Sequence, residues 1–381
     1  MLDFSDINQL IPIPKPFPGV ESWILNALAD AGMVDLKFEK VQALSGDASF
    51  RRYFRLLATH ENELVNLQPS ASSLMLAVAP PQTEKNHEFV SISQLLNGHN
   101  VLASEVIAVD YEHGLILQHD LGDQELQPLL SSAEVEKWYN LALDQLVQLA
   151  TLPKQSVQVL PAYNREALLL ELNVFREWFV EHMLAYSLNE TEHQMIDDCF
   201  ELLIARACQQ EQVFVHRDYH CRNIMVTADE QLAVIDFQDA LYGPITYDAV
   251  SLWRDCYVVW PESLVNGFVE RFYKRLKGER VIASTKPLVS FKKDFDLMGL
   301  QRHVKVLGVF ARLSLRDDKH TYLADLPAVV AYVRSILSLY NEKPLQVFAD
   351  WFEIKLMPLV ELQSWWLEPK SKGLDHEGLA Q

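Results

Sequence analysis

Two short apolar runs, each followed by polar residues, stand within an otherwise helical stretch and constrain the fold more than any other feature. The run VFV (213–215) leads into HRDYHCRNIM, and the run LAVI (232–235) leads into Asp236. Polar loops that follow short strands commonly carry functional side chains. We therefore expect the carboxylate of Asp218, in the first loop, to face a cleft.

The spacing of the polar residues in these loops indicates a metal site beside an acid. Asn223 follows Asp218 by five residues, which lets the chain turn back and point an oxygen at a metal that the aspartate also faces. Asp236 would place a carboxylate beside Asn223, and Mg²⁺ prefers such oxygen ligands. Phosphoryl transfer needs a metal on the phosphates and a carboxylate that positions the attacking hydroxyl. The pattern predicts a kinase with Asp218 as the base and Asn223 and Asp236 as Mg²⁺ ligands.

Composition and charge restrict the possible classes of protein. The 381 residues are 49% hydrophobic and 22% charged, which is enough apolar material for two lobes. The formal net charge of −19 argues against a nucleic-acid-binding protein, which would present a basic surface. An acidic surface suits a cationic substrate, but it is also common in soluble cytoplasmic proteins.

The cysteines and the N-terminal residues indicate a cellular compartment. The four cysteines form no C-x-x-C pair, which is typical of a reducing environment. The N-terminus lacks a basic region followed by an apolar stretch, and no apolar run approaches the ~18 residues that span a membrane. We expect a cytoplasmic protein that binds neither nucleic acid nor membrane. The sequence leaves the oligomeric state open.

The first third of the chain has the pattern of a small sheet. Residues 1–20 contain alternating prolines and predict an extended N-terminal arm. Residues 21–121 form the predicted N-lobe, with helices over 21–33 and 84–98. The predicted strands of this lobe lie in FEKVQAL, RRYFRLLA, NELVNL, SLMLAVA, VLASEVIAVD and GLILQHD.

The rest of the chain, residues 122–381, is mostly helical in pattern and forms the predicted C-lobe. Apolar residues recur at helical spacing over 132–152, 165–184 and 190–210. The change of pattern near Leu121–Asp123 is the expected domain boundary.

The motif H-x-D-x-H-x-x-N (216–223), followed by a strand and I-D-F, resembles the aminoglycoside phosphotransferase-like, or choline-kinase-like, branch of the protein-kinase fold. A helical pattern begins within about ten residues of Asp236, where a protein kinase has a long activation segment. The resemblance implies an α+β fold of two lobes, with a small antiparallel-sheet N-lobe and a mostly helical C-lobe. It also implies that three residues support the catalytic loop: His216, His220 and Asp248.

The same resemblance implies a nucleotide site in the N-lobe that binds ATP together with Mg²⁺. The segment LSGDASFRRYFRL (44–56) resembles the hairpin that covers the phosphates, and Gly46 permits its tight turn. Backbone N–H groups would meet the phosphates at Asp47, Ala48, Ser49 and Phe50. The segment LILQHDLGD (115–123) resembles the strand and hinge beside the adenine, with contacts from Gln118, His119, Asp120 and Leu121.

One expected part of a kinase is missing. The third strand normally carries a lysine that binds the phosphates, but LMLAVAPP (74–81) contains none. The nearby basic residues Lys85, Arg51, Arg52 and Arg55 are candidates for this positive charge. Alternatively, the metal and backbone groups suffice.

A narrower resemblance concerns the substrate. The segments GDASFRRYFR, DLGD, LLLELNVFREWF, IDFQDALYGPITYDAVSLWRDCY and QRHVKVLGVFARL together resemble the bacterial anomeric cell-wall sugar kinases. That family phosphorylates the anomeric hydroxyl of N-acetylmuramate and N-acetylglucosamine in peptidoglycan recycling. The resemblance implies a small-molecule sugar substrate, with candidate contacts from Glu171, Arg254 and Asp255. Arg302 and His303, at the start of a predicted late helix, could reach the lactyl carboxylate of a muramate, but we favour their interpretation as surface residues.

Two alternatives remain open from the sequence. The first is a kinase of the same fold that acts on an aminoglycoside, on choline or on another small hydroxyl compound, as the acidic charge favours. The second is a catalytically silent module that binds a nucleotide or a partner, as the missing lysine favours. Transfer of phosphate from ATP to a panel of acceptors distinguishes the three.

Overall fold

The computed structural model describes Ile7 and residues 19–33, 36–44, 50–60 and 73–366. The chain divides into two compact units. The first comprises Met1–Pro128 and Cys221–Asp239, and the second comprises Leu129–His220 and Ala240–Gln381. The loop with the predicted catalytic residues therefore passes from the second unit to the first between His220 and Cys221.

These units differ from the lobes expected from the sequence. The first segment continues past Leu121 to Pro128, and Cys221–Asp239 belongs to the first unit although it lies far along the chain. Cys221–Asp239 belongs to the first unit because its backbone pairs with residues of that unit. The N–H of Val234 donates to the carbonyl of Leu102 at 2.9 Å. Periodicity within a segment carries no information about such a distant partner.

The described strands, in chain order, are β1 Leu36–Ala43, β2 Arg52–His60, β3 Ser73–Val78, β4 Val106–Asp110, β5 Leu115–His119, β6 Gln212–Val215, β7 Ile224–Val226, β8 Leu232–Val234 and β9 Leu241–Pro244. The described α-helices are α1 Val20–Asp30, α2 Asn86–Asn97, α3 Val135–Ala150, α4 Lys154–Val157, α5 Arg165–Val174, α6 Glu190–Cys208, α7 Tyr247–Trp253, α8 Glu262–Gly278, α9 Leu288–Leu315, α10 Leu326–Leu337, α11 Lys343–Trp351 and α12 Met357–Val360. Short 3-10 turns occupy Gln127–Leu129 and His320–Asp325, and π-helical segments occupy Phe175–Met183 and Phe352–Leu356.

The first unit is built on an antiparallel sheet with the order β1-β2-β3-β5-β4 among its described strands. Side chains of a strand alternate between its two faces, so Leu74, Leu76 and Val78 of β3 share one face. They pack with Phe54 of β2 and with the apolar side of α1. Each buried side chain of this size contributes about 1.5–3 kcal/mol to folding. The hairpin β7-β8 completes this unit.

The second unit is mostly helical and is organised around α9, which packs against α5, α6, α7, α10 and the π-helical segment. A close approach at Gly308 makes this packing possible. A Cβ at that position would lie 2.4 Å from the backbone nitrogen of Phe175, closer than real Cβ contacts. The strands β6 and β9 pair antiparallel in this unit.

Most of the described helices and strands lie where the sequence predicts them. The predicted strand NELVNL falls outside the described residues, and so does the N-terminal arm apart from Ile7, Gly19 and Val20. Strand β9 was not predicted. The helix predicted over 165–184 changes to π-helical geometry at Phe175. None of the described helices is long and apolar enough to cross a membrane.

Candidate active site

The loop that carries Asp218 is held in the second unit from two sides. The carboxylate of Asp248, in the first turn of α7, accepts the backbone N–H of His216 at 2.6 Å and that of Arg217 at 3.0 Å. The hydroxyl of Tyr219 donates to Oε1 of Gln145 on α3 at 2.8 Å. These contacts fix the backbone before and after Asp218. Burial raises the pKa of Asp248 to about 7, against the effect of its two N–H donors.

Basic side chains keep the Asp218 carboxylate ionised. Burial alone would raise its pKa, but the nearby charges of Lys305 and Arg302, with smaller effects from His220 and Arg217, lower it below the usual aspartate value. The side chain is half-buried. A carboxylate that stays ionised at neutral pH is able to accept a proton from a hydroxyl group.

A buried cluster connects Lys305 to the loop. Its ammonium lies 3.0 Å from Oε1 of Glu171 and 3.0 Å from the hydroxyl of Tyr247. Glu171 also accepts from Arg217 and from Tyr163. Although burial opposes ionisation, these cations lower the pKa of Glu171. Glu171 therefore links helix α5 to the residue that precedes Asp218.

Helix α5 begins where it does because Asn164 caps it. The Asn164 side chain accepts the N–H of Ala167 at 3.0 Å, which satisfies one of the unpaired donors of the first turn. Glu171 follows two turns later and is directed into the cluster. The cap thus sets the position of the carboxylate that holds Arg217.

One predicted metal ligand and one further residue of the catalytic loop have left-handed backbone conformations. Arg217 has φ 80° and Asp236 has φ 64°. A non-glycine residue in this region is strained, and such residues concentrate at functional sites where the surrounding structure holds them. The strain at Arg217 is offset by Asp248 and Glu171, which bind its backbone and its side chain.

The hairpin β7-β8 brings the two predicted metal ligands together in the first unit. The N–H of Ile235 donates to the carbonyl of Asn223 at 3.1 Å, so Asp236 directly follows the residue that pairs with Asn223. Asn223 is half-buried and Asp236 is exposed. Within the described ranges, no three His, Cys, Asp or Glu side chains form a metal site. One amide oxygen and one carboxylate suit Mg²⁺, which usually takes few protein ligands together with water and phosphate oxygens.

The predicted nucleotide contacts are partly described. Gly46, Asp47, Ala48 and Ser49 lie outside the described residues, and Phe50 is exposed. At the hinge, the carboxylate of Asp120 is occupied by Arg55, Ser73 and its own turn with Gly122 N–H. The Asp120 side chain is therefore used for structure, and a nucleotide contact at this residue would have to come from its backbone.

The side chains of Gln118 and His119 point into different surroundings. Gln118 is buried in β5, whereas His119 is half exposed and lies 3.9 Å from Glu105. Leu121 is half-buried just past the strand.

The predicted substrate residues Arg254 and Asp255 are buried near the end of α7. Arg254 pairs with Glu262 and places Nη1 2.7 Å from Asp296, so its charge is already matched. Asp255 accepts the N–H of Tyr257 at 3.2 Å, and its charge acts on Arg302.

The expectation that Arg302 and His303 lie at the surface is wrong. Both are buried within α9, since the helix begins at Leu288 rather than beside them. Arg302 donates to the hydroxyl of Ser251 at 2.7 Å. His303 Nε2 lies 2.9 Å from the carbonyl of Arg254, and burial lowers the pKa of His303 to about 3. His303 is therefore neutral and structural.

The sequence missed Lys305, Tyr163 and Tyr247 as parts of the site. The available signal was the position of Lys305 among the apolar residues of a long helix. Burying an ammonium without an acidic partner is costly, so such a lysine indicates a buried carboxylate beside it. The other two predicted support residues belong to the loop itself. His216 is fully buried, and the ring of His220 packs edge-on against Tyr257 with ring centres 5.3 Å apart.

Comparison with known proteins identifies the family. A family model described as the phosphotransferase enzyme family matches residues 40–285, more than half of the chain. The chain belongs to this family. Membership confirms the resemblance drawn from the catalytic motif and makes the protein a phosphotransferase.

Curated relatives extend the match along the chain. A protein of Pseudomonas aeruginosa is 38% identical over 77% of this chain and 82% of its own length. A protein of Neisseria meningitidis is 35% identical over 78% of this chain and 86% of its own length. Both are named N-acetylmuramate/N-acetylglucosamine kinase, which confirms the narrower resemblance.

Solved structures confirm the fold. Plasmodium vivax ethanolamine kinase superposes with a TM-score of 0.55 at 10% identity, covering 84% of this chain and 91% of that one. Choline kinase from Streptococcus pneumoniae gives 0.51 at 13% identity, covering 83% and 99%. The α+β, protein-kinase-like architecture expected from the sequence is therefore correct.

Proposed function

We propose that the protein transfers the γ-phosphate of ATP to the anomeric hydroxyl of N-acetylmuramate, N-acetylglucosamine or both. The observation that carries the proposal is the match to relatives of that name at 35–38% identity over most of the chain. Asp218, Asn223 and Asp236 supply the base and metal ligands that this chemistry needs. The proposed compartment is the cytoplasm, where ATP is available.

In this mechanism Asp218 orients the acceptor hydroxyl and takes its proton. The basic residues around it keep the carboxylate ionised, and Asp248 and Tyr219 hold its loop in place. An anomeric hydroxyl is more acidic than other sugar hydroxyls, so a carboxylate within ~3 Å can accept its proton late in a loose transition state.

The metal ligands and the nucleotide site belong to the first unit. Asn223 and Asp236 would hold Mg²⁺, which when bound neutralises charge on the phosphates. The backbone of Gln118–Leu121 would contact the adenine, and that of Asp47–Phe50 would contact the phosphates. Among the proposed substrate residues, Asp255 is the better candidate for sugar binding, while Glu171 and Arg254 are held in ion pairs that position the site.

The charges around Asp218 favour a neutral or anionic acceptor over a cationic one. Lys305, Arg302 and Arg217 all act on its carboxylate. A choline or aminoglycoside ammonium beside them would be repelled. The charges at the site therefore argue against a choline or aminoglycoside kinase, which the net charge of the whole chain had favoured.

The direct test is a transfer assay with MgATP and purified protein. N-acetylglucosamine and N-acetylmuramate are compared with choline, kanamycin and 1-deoxy-N-acetylglucosamine, and the position of the transferred phosphate is read by ³¹P and ¹³C NMR. We expect a sugar 1-phosphate and no transfer to the 1-deoxy sugar. Equal phosphorylation of the 1-deoxy sugar, or transfer to choline or kanamycin alone, would overturn the proposal.

A further inference from the structure

Arg302, on α9 of the second unit, is a buried arginine without a carboxylate partner among the described residues. It is 9% exposed, and its one described hydrogen bond runs from Nη2 to the hydroxyl of Ser251 at 2.7 Å. No described carboxylate oxygen lies within 4.0 Å of the guanidinium. By contrast, Lys305 and Arg254 each lie within 3.0 Å of a carboxylate oxygen. Burying an unpaired charge is costly, so this position calls for another source of negative charge.

Most of the Arg302 guanidinium is available to a ligand. Nε is buried and has no hydrogen-bond partner in the described part of the chain. Nη1 also has no described partner, but it keeps some contact with solvent. Ser251 orients the group without neutralising it, because a hydroxyl carries no charge. Nη1 and the second N–H of Nη2 can therefore bind the two oxygens of one planar carboxylate.

Helix α7 places this guanidinium beside the catalytic loop. Asp248 and Ser251 are three residues apart on α7, so they lie on the same side of the helix with Cβ atoms about 5–6 Å apart. Asp248 accepts two backbone N–H groups of the loop at 2.6 and 3.0 Å, and Ser251 accepts from Arg302. The guanidinium therefore lies about one helical turn from the contacts that hold the loop of Asp218.

Helix α9 provides a second set of contacts to the same loop. Arg302 and Lys305 are three residues apart and share one side of α9. The guanidinium carbon lies 5.9 Å from the centre of the Tyr247 ring, and the Tyr247 hydroxyl accepts from the Lys305 ammonium at 3.0 Å. That ammonium pairs with Glu171, which also pairs with the residue directly before Asp218. Contacts along both helices thus place Arg302 close to a substrate that binds at Asp218.

The two proposed sugars differ in one charged group. N-acetylmuramate carries on O3 a lactyl ether that ends in a carboxylate, whereas N-acetylglucosamine carries a hydroxyl there. O3 is two ring carbons from C1, so with the C1 hydroxyl at Asp218 the lactyl group extends from the ring toward residues beside the loop. Lys305 and Arg217 already pair with Glu171. Arg302 is the neighbouring cation that has capacity for a further carboxylate.

We propose that Arg302, oriented by Ser251, binds the lactyl carboxylate of N-acetylmuramate and so determines how strongly this sugar is preferred over N-acetylglucosamine. The inference rests on the proposed function and adds the residue that recognises the one group by which the two sugars differ. N-acetylglucosamine leaves the guanidinium without an anion, but its C1 hydroxyl meets the same base.

The test measures kcat/KM of Arg302→Gln with MgATP for each of the two sugars. Loss of a charge-assisted pair should lower the ratio of kcat/KM for N-acetylmuramate to that for N-acetylglucosamine by about 10- to 100-fold, mainly through KM for N-acetylmuramate. If Arg302 only kept Asp218 ionised, both sugars would lose kcat equally and the ratio would not change. That unchanged ratio, or a change confined to KM for ATP, would overturn the inference.

Arg316→Gln is the matched control. Arg316 directly follows α9, is 54% exposed at its side chain and pairs with Asp317. This variant should keep the ratio of the wild type. The same fall in Arg316→Gln as in Arg302→Gln would show that the effect is not specific to the buried arginine, and the inference would fail.

Two further measurements keep the test decisive if Arg302→Gln fails to fold. Ser251→Ala keeps the arginine but removes the hydroxyl that orients it, so the ratio should fall by about 2- to 10-fold. The wild type should have a KM about 10- to 100-fold higher for the lactyl amide of N-acetylmuramate than for the acid, because the amide keeps the shape without the charge. Equal KM values for acid and amide would overturn the inference, even where N-acetylglucosamine is not a substrate.

Failure of this inference is distinguishable from failure of the proposed function. Turnover of neither sugar by the wild type would defeat the proposed function and this inference with it. Turnover of both sugars with an unchanged ratio in Arg302→Gln and Ser251→Ala would defeat the inference alone. Turnover of N-acetylglucosamine without any of N-acetylmuramate would likewise leave the proposed function standing and defeat the inference.

Discussion

The ammonium of Lys305 on α9 lies 3.0 Å from the carboxylate of Glu171 on α5, and both side chains are largely shielded from solvent. Glu171 also pairs with Arg217, the residue that directly precedes Asp218. Lys305 also acts on the Asp218 carboxylate directly. A residue far from the catalytic motif thus contributes to holding the loop of the proposed base and to lowering the pKa of its carboxylate.

The first prediction concerns Lys305→Met and the pH dependence of turnover. The folded pKa of Asp218 is lowered, so its proton-accepting form is present above a pKa that lies below the usual aspartate value. Without the ammonium this pKa rises, and the acid limb of the kcat profile should move to higher pH. Burial raises the pKa of Asp248 to about 7, and Lys305 has no described contribution to that shift. The difference between the kcat profiles of Lys305→Met and the wild type therefore reports on Asp218.

Lys292→Met is the matched control for that measurement. Lys292 lies on the same helix but forms a half-exposed pair with Glu270. Its profile should coincide with that of the wild type. Coincident profiles for Lys305→Met and the wild type would show that the ammonium does not tune Asp218.

The second prediction concerns Asp248→Asn. Both carboxylate oxygens accept backbone N–H groups, whereas an amide offers one oxygen and turns its NH₂ toward the other donor. One buried donor is left unsatisfied, so the free energy of unfolding should fall by about 1–3 kcal/mol. Urea unfolding measures this loss, and kcat should fall as well because the catalytic loop is released. An unchanged unfolding curve would contradict the bracing role.

The third prediction concerns Asp236→Asn. Asparagine tolerates the left-handed backbone that Asp236 adopts, so the fold should be retained. The substitution removes the carboxylate that would hold Mg²⁺, and loss of several kcal/mol of charge stabilisation corresponds to at least ~10²-fold in turnover. Asp229→Ala, an exposed residue of the turn between β7 and β8, is the control and should keep full activity. Wild-type turnover in Asp236→Asn would show that no carboxylate is needed at this position.

The fourth prediction compares two glycine substitutions. Gly308→Ala places a Cβ 2.4 Å from backbone atoms of the neighbouring helical segment, so it should lower the free energy of unfolding by at least about 1–3 kcal/mol. Gly267→Ala lies within α8, where no described atom is within 4 Å of the added Cβ. It should stabilise the protein by about 0.5–1 kcal/mol. Thermal or urea unfolding of both variants checks the pair, and equal effects would rule out the close approach at Gly308.

Local patterns predicted the fold well where the interactions are local. The helix over 132–152 follows from apolar spacing alone, and Asp218, Asn223 and Asp236 follow from the spacing of one motif. The comparison with known proteins confirms the family and the fold. The roles of those three residues remain predictions, which the variants above address.

Features that depend on contacts between distant parts of the chain could not be predicted from sequence patterns. Lys305 and Glu171 look like ordinary charged residues of two helices, and their pairing exists only once α9 packs on α5. The burial of Arg302 and His303 has the same origin. The transfer of Cys221–Asp239 to the first unit depends on pairing with Leu102, which no periodicity signals.

The central claim is that Asp218 accepts the proton of the acceptor hydroxyl, and the turnover number of Asp218→Asn with N-acetylglucosamine or N-acetylmuramate tests it most directly. Asparagine keeps the shape and most hydrogen bonds of the side chain but removes the base. The expected result is a 10²–10⁴-fold fall in kcat, with ADP affinity unchanged by calorimetry. A turnover number near that of the wild type would contradict the account.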